Sequence, residues 1–424
     1  MQQDVKLEIP PAETGGGAVG EPAANVLPLT AQPLTARPLT ARRHALQALT
    51  GIRFFAALYV VVFHTRTAET LRQHGLTAAG NFFASGYLAV PMFFLLSGFI
   101  LAYTYRNQIE KPGDHRRFWE ARFARIWPVY ALSLLLSSIP TLVFPKPAAI
   151  VATLLMVQAW NPLSPELAGA WNFVCWTLSV EALFYVCFPW VQVWLEARSQ
   201  RVQLIWIGVM LAVSVAMNSG GYTLGNSTEG LGHWLPLPVL HLPEFFIGVG
   251  LGNVYLERLG ANGGGPMLPG KGVWTYLSAL TAIALLCREP GRWTSLVVVA
   301  FAALLFGLAA ETTRLSRLLS TRGMLLGGGI SYSIYLMQMP VKAWVSLLAG
   351  SLHIGSEFSR MGLTFGLLLL VSFILFKTVE EPARRLLRSL FASLEERRTA
   401  SATGTLRLAS LAAAAEDAGK RKKQ

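Results

Sequence analysis

Few residues in this 424-residue chain could do chemistry, and those few recur at helical spacing. Arg53 and His64 stand eleven residues apart in LTGIRFFAALYVVVFH. Eleven steps of about 100° return to within ~20° of the starting direction, and at 1.5 Å per residue they separate the two by about 16 Å along a helix axis. The pair therefore shares one face without touching. That spacing offers a tunnel with a cation near its mouth and a proton acceptor deeper inside. The plainer alternatives are an interfacial anchor for Arg53 and a packed, hydrogen-bonded histidine for His64.

Other polar residues form stripes of the same kind. Thr177, Glu181 and Tyr185 recur every fourth residue in WTLSVEALFY, and Ser331, Tyr335, Gln338 and Lys342 follow at steps of four, three and four. Residues three or four apart lie on one helix face, and a charge in hydrocarbon costs about 2.5–3.5 kcal/mol on insertion scales. Both stripes should therefore face inward. Glu181 needs a polar cavity or a partner such as His64 or Arg53; a purely structural bond between helices would serve equally. His241 and Glu244 flank Pro243, where a kink frees backbone groups. Ser97 precedes Gly98 in FFLLSGF; a serine nucleophile needs a positioned base, and helix packing is its simpler role. Arg122 and Arg125, one turn apart, can clamp a phosphate, although basic residues there also suit plain membrane anchoring. One polar cavity shared by several helices is the economical reading.

Groups so placed need long apolar helices to hold them. The chain is 53% hydrophobic and 14% charged, with a mean hydropathy of +0.45, whereas soluble domains carry about 25% charge. This excludes a soluble multidomain protein and a disordered chain. The predicted fold class is all-α, a polytopic membrane helical bundle. A span takes about 20 apolar residues, and ten stretches qualify: 48–66, 87–105, 124–144, 171–195, 202–218, 234–256, 272–288, 294–310, 325–349 and 361–379. An eleventh, 148–160, is short and flanked by Pro147 and Pro162, so it is read as re-entrant or interfacial. That choice places 29 of the 36 Lys and Arg on the side of both termini, six on the other, and Lys342 within a span. Basic residues gather in cytoplasmic loops, which predicts cytoplasmic termini. The net charge of +13 then needs no nucleic acid as partner.

Residues 1–46 hold the repeat PLTAQ-PLTAR-PLTAR and no continuous apolar core, so they read as a disordered low-complexity tail without a signal peptide. Residues 47–390 form the transmembrane domain, and 391–424 a basic disordered tail. The three cysteines, Cys175, Cys187 and Cys287, suit no disulfide framework, and no spacing suggests a metal site.

Taken in order, the motifs resemble the acyltransferase-3 family of integral-membrane O-acyltransferases. The resemblance runs from about Leu49 to Arg385. It starts at the Arg53–His64 pair and continues through GYLAVPMFFLLSGF, RFARIWPVY and WTLSVEALFY. LPEFFIGVGLG, ISYSIYLMQMP and VEEPARR complete it. Each motif is weak alone; the ordered set is specific. His241, Gln338 and Phe54 depart from residues common in the family, arginine, histidine and glycine respectively.

The resemblance implies a ten-helix enzyme of the cell membrane, bacterial plasma or inner membrane, moving an acyl group, usually acetyl, from acyl-CoA to a hydroxyl. The acceptor would be a carbohydrate such as an exopolysaccharide or lipopolysaccharide sugar, or a glycosylated metabolite such as a macrolide. His64, Arg53 and Glu181 become the expected catalytic residues, with His64 as general base. Arg122, Arg125 and Ser97 are expected at the acetyl-CoA donor, and Tyr335, Gln338 and Glu244 at the acceptor. No metal is expected. The rival class is a transporter or flippase in which buried His and Glu relay protons.

Overall fold

The computed structural model describes residues 36–139, 144–162, 164–217, 235–261, 272–288, 291, 293–351, 353 and 356–396. These are helical, joined by turns and short irregular segments. The long helices are α1 (Ala36–Phe63), α2 (Ala89–Tyr105), α3 (Pro112–Ser138), α4 (Trp176–Glu196), α5 (Gln200–Met217), α6 (Leu242–Ala261), α7 (Val273–Leu286), α8 (Thr294–Ala310), α9 (Arg322–Ser351) and α10 (Glu357–Leu375). Each occupies one of the apolar stretches picked out in the sequence. After α10 a π-helical turn, Phe376–Glu380, leads into a helix that runs on to Glu396. α1 begins at Ala36, inside the segment read as a tail, and takes in the third copy of the repeat; the last helix likewise extends to Glu396, into the segment read as the C-terminal tail, and residues 1–35 and 397–424 lie outside the described residues.

Five segments are long and apolar enough to cross a membrane: Thr77–Tyr105, Phe173–Glu196, Gln200–Met217, Leu237–Ala261 and Ser359–Glu396. A sixth arises if the first helix and Thr67–Gln73, bent from it by 66°, count as one span. The protein is a helical membrane protein. α3 and α9 are long but more polar, because they carry Arg122 and Arg125 in one case and the Ser331–Lys342 stripe in the other. The stretch 148–160 contains only the eight-residue helix Pro147–Leu154. At 1.5 Å per residue this is about 12 Å, far short of the ~30 Å hydrocarbon core.

Small residues set how closely the helices approach. A Cβ on Gly98 of α2 would run into the carbonyl oxygen of Phe245 on α6, and one on Gly248 into that of Leu95. Gly248 and Gly252 thus pack against α2, while Gly250 meets Ile207 of α5. α1 meets α9 in the same way, with Gly328 against the Thr50 carbonyl. Prolines cross-link by freeing carbonyls, since proline has no N–H for the residue four before it. Pro189 leaves the Tyr185 carbonyl to Trp119 Nε1 of α3, at 2.8 Å. Pro340 leaves the Leu336 carbonyl to Asn172 Nδ2, at 3.0 Å. Glu311 after α8 accepts from the backbone N–H of Gly272 and Thr275 at the start of α7, satisfying donors that a helix N-terminus leaves open.

Candidate active site

α1, α2, α3, α4 and α9 surround two adjoining cavities. One is lined by Thr177, Ser331 and Tyr335 together with Arg53, Glu181 and apolar residues of α2. The other is lined by Ser97, Arg122, Arg125 and Tyr185, again with Arg53 and Glu181. Arg53, Phe93, Glu181 and Tyr332 belong to both, so the cavities form one polar track. The Thr177–Glu181–Tyr185 stripe runs along it, as helical spacing requires. Gly98 takes up the contact with α6, which leaves Ser97 on the cavity side.

Tyr185 donates to Glu181 Oε2 at 3.0 Å. Arg125, Arg53 and Arg122 lie within electrostatic reach of Glu181. Arg122 is 9% exposed. Its Nη2 donates to Tyr105 at 3.1 Å, and its guanidinium lies 5.5 Å from the Tyr105 ring and 5.7 Å from that of Phe118. Its Nε is buried with no partner among the described residues. A flat guanidinium held by aromatic faces, with donors unspent, is a fitting receptor for phosphate oxygens.

His64 lies one residue past the end of α1, where the chain bends towards Thr67–Gln73. This is the end of the helix, about 16 Å along its axis from Arg53. The α9 stripe leads to it. Gln338 Nε2 donates to the Tyr335 carbonyl at 2.8 Å, which turns the amide oxygen towards His64 Nδ1, 2.9 Å away. An amide oxygen only accepts, so Nδ1 carries the proton and Nε2 of the neutral ring keeps its lone pair. Lys342 Nζ donates to the His64 carbonyl at 2.7 Å, and the rings of Phe63 and Phe173 stand 5.0 and 6.0 Å from the imidazole.

The structure therefore brings Arg53, Glu181, Ser97, Arg122, Arg125 and Tyr335 onto one track, with Gln338 and His64 joined to it through α9. Glu181 bonds Tyr185; Gln338 is the side chain on the imidazole. Glu244 stands apart: it is fully buried, accepts from Ser214 at 2.8 Å and lies 3.8 Å from His241. His241 packs on Phe94 and Trp176, so this pair sits behind the aromatic wall of the cavity. Sequence reasoning missed Tyr332, which lines both cavities and donates to the Ile126 carbonyl at 2.9 Å. It also missed Glu380, 3% exposed, which accepts from Ser333 at 2.8 Å. Both fall within motifs already marked, ISYSIYLMQMP and VEEPARR. Among the described residues no group of three or more His, Cys, Asp or Glu could hold a metal ion.

Residues 46–377 match the sequence model of a family described as an acyltransferase domain. The chain belongs to the acyltransferase-3 family. The match covers every candidate site residue named from the sequence. This acyltransferase-3 chain is similar to acyltransferase MdmB of Streptomyces mycarofaciens, 32% identical over 178 residues, 40% of this chain and 45% of that protein. It is similar to O-acetyltransferase OatA of Staphylococcus aureus, 22% identical over 390 residues, 84% of this chain and 60% of that protein. Protein 2 in picA locus of Rhizobium radiobacter is 41% identical over 92 residues, 21% of this chain and 41% of that protein. The acyltransferase-3 chain thus spans about half the length of the curated relatives it matches. No solved structure matches it.

Proposed function

We propose that this protein is a membrane O-acyltransferase that moves an acetyl group from acetyl-CoA to a carbohydrate hydroxyl, with His64 as general base. The observation that carries this reading is the Tyr335–Gln338–His64 relay. It fixes the tautomer in which Nε2 can take a proton, and its Tyr335 lines the first of the two cavities that lead on to the arginines. The axial rise from Arg53 to His64, about 16 Å, suits an extended pantetheine arm.

In this scheme Arg122 and Arg125 hold the nucleotide end of the donor, which supplies the acetyl thioester. His64 Nε2 removes the proton of the acceptor hydroxyl. The hydroxyl oxygen bonds to the acetyl carbon as the carbon–sulfur bond breaks, and His64 returns the proton to the departing thiolate. General-base assistance of this kind contributes typically 10²–10⁴-fold. Gln338 keeps the ring oriented throughout, and Arg53 with Glu181 lines the passage between the two ends. The similarity to an enzyme named O-acetyltransferase supports oxygen as the accepting atom.

The same reading has ten helices crossing the membrane with both termini in the cytoplasm, supported by the 29 basic residues on that side against six opposite. Reporter fusions or cysteine labelling at the α1–α2 and α3–α4 connections test it, and cytoplasmic labelling of either would refute it. For the activity, detergent-purified protein is given radiolabelled acetyl-CoA and a glycan extract. CoA release and labelled product are expected from the wild type and lost in His64→Ala. Retention of acceptor-dependent transfer by folded His64→Ala protein would reject His64 as the base.

A further inference from the structure

The family match ends at residue 377, yet the helix that follows the π turn carries charges back to the polar track. Glu380, Arg384 and Arg388 succeed one another at four-residue steps, on one face of that helix. The neighbouring residues pair among themselves: Glu381 takes Arg385 at 2.5 Å and Lys377 at 3.8 Å. The helix lies antiparallel to the start of α3, where Arg117 grips Glu395 with Nε at 2.9 and 3.0 Å from the two carboxylate oxygens. From that latch, two turns back along the terminal helix reach Arg388, while one to two turns forward along α3 reach Arg122 and Arg125. The charges in electrostatic reach agree with this register. Arg388 faces Arg384, Arg122 and Arg125, and Glu380 faces Arg125, Arg53 and Arg384.

Four guanidinium groups, those of Arg53, Arg122, Arg125 and Arg384, thus lie about two carboxylates, Glu181 and Glu380, and Arg388 adds a fifth beside Arg384, Arg122 and Arg125. Arg384 and Arg388 make no hydrogen bond or ion pair among the described residues, and the Nε of Arg122 is buried without a partner. Arg384 is half-buried and Arg388 exposed, the arrangement of a mouth. Like charges gathered in this way repel unless a polyanion lies between them.

We propose that Arg384 and Arg388 bind the phosphates of the donor's nucleotide half, closing with Arg122 and Arg125 a clamp between α3 and the terminal helix. This rests on acyl-CoA being the donor. A diphosphate plus a ribose 3′-phosphate is a polyanion of the right kind for such a cluster, and guanidinium pairs match phosphate oxygens bidentately.

The test compares wild type, Arg384→Gln/Arg388→Gln and Arg385→Gln, the last altering only the exposed pair with Glu381. Two donors are used: acetyl-CoA, and S-acetylpantetheine, which lacks the nucleotide and its phosphates. The double variant should raise the KM for acetyl-CoA about tenfold, leave that for S-acetylpantetheine unchanged, and keep kcat within about twofold; Arg385→Gln should match wild type. Equal losses with both donors, or an unchanged acetyl-CoA KM, would overturn the clamp. Equilibrium binding of adenosine 3′,5′-bisphosphate gives a readout without turnover. Weaker binding by the double variant supports the proposal even if the acetyl acceptor is wrongly assigned. Equal binding with reduced co-purification of anionic lipid would assign these arginines to headgroups instead. If wild type turns over no acetyl-CoA and binds no adenosine bisphosphate, the donor reading and the clamp both fail; turnover with an indifferent double variant sinks the clamp alone.

Discussion

His64 and Gln338, 274 residues apart in the chain, meet with Nδ1 and Oε1 separated by 2.9 Å. The amide is not free to turn over, because its nitrogen is engaged by the Tyr335 carbonyl one helical turn away. A neutral side chain thereby orients the imidazole, as a carboxylate does in Ser-His-Asp enzymes.

Gln338→Leu removes the acceptor of Nδ1 and leaves a ring N–H without its partner. Such a loss costs about 1–3 kcal/mol, or roughly 5- to 150-fold in rate. The expected result is a fall of that size in kcat with the donor KM unchanged, measured by steady-state kinetics on purified protein. An unaltered kcat would mean that Phe63 and Phe173 alone hold the imidazole.

Arg122→Gln and Arg125→Gln should each raise the KM for acetyl-CoA more than that for the acceptor. Charge-assisted hydrogen bonds contribute about 1.5–3 kcal/mol, so a rise of roughly 10- to 150-fold is expected. Tyr105→Phe, which deprives Arg122 of its hydroxyl partner, should act in the same direction but less, by about 2- to 10-fold. Equal effects on both substrates would point to damaged packing.

Glu181→Gln keeps an acceptor for Tyr185 while removing the charge. Neutralising a buried carboxylate among arginines leaves those cations without compensation. The variant should fold and insert like wild type but lose roughly tenfold or more in kcat/KM. If activity survives, the Tyr185 bond is the whole of its contribution, a structural link along α4.

Gly98→Val tests the α2–α6 crossing. The added atoms meet the Phe245 carbonyl, and overpacking costs typically 1–3 kcal/mol, so its thermal unfolding in detergent should move clearly downwards. Gly350→Ala, with nothing near the added carbon, should show no loss. Equal behaviour of the two would argue against close backbone packing at Gly98.

Much of this arrangement was legible in the sequence, for identifiable reasons. Apolar stretches located the helices because hydrocarbon tolerates little else. Helical spacing brought Thr177, Glu181 and Tyr185 to one face and Ser331, Tyr335, Gln338 and Lys342 to another, since that geometry is local. Arg53 was marked by the cost of burying charge, and Arg122 with Arg125 by their spacing of one helical turn. Tyr332 escaped notice because a tyrosine between two stripes has no periodicity of its own, and Glu380 because the π turn shifts the face that it presents. Glu244 had the composition of a site residue, yet its partners Ser214 and His241 stand behind an aromatic wall.

What the sequence determined by itself, then, was a helical membrane protein with inward-facing polar stripes, because periodicity and hydropathy act within single segments. Only the tertiary structure decided which stripes meet. Gln338 rather than Glu181 reaches the imidazole, Gly98 touches α6 while Ser97 faces the cavity, and Arg384 and Arg388 return to α3. These pairings depend on how helices cross and on where Pro189 and Pro340 free a carbonyl for another helix. Such contacts join residues far apart in the chain, and no local pattern encodes them.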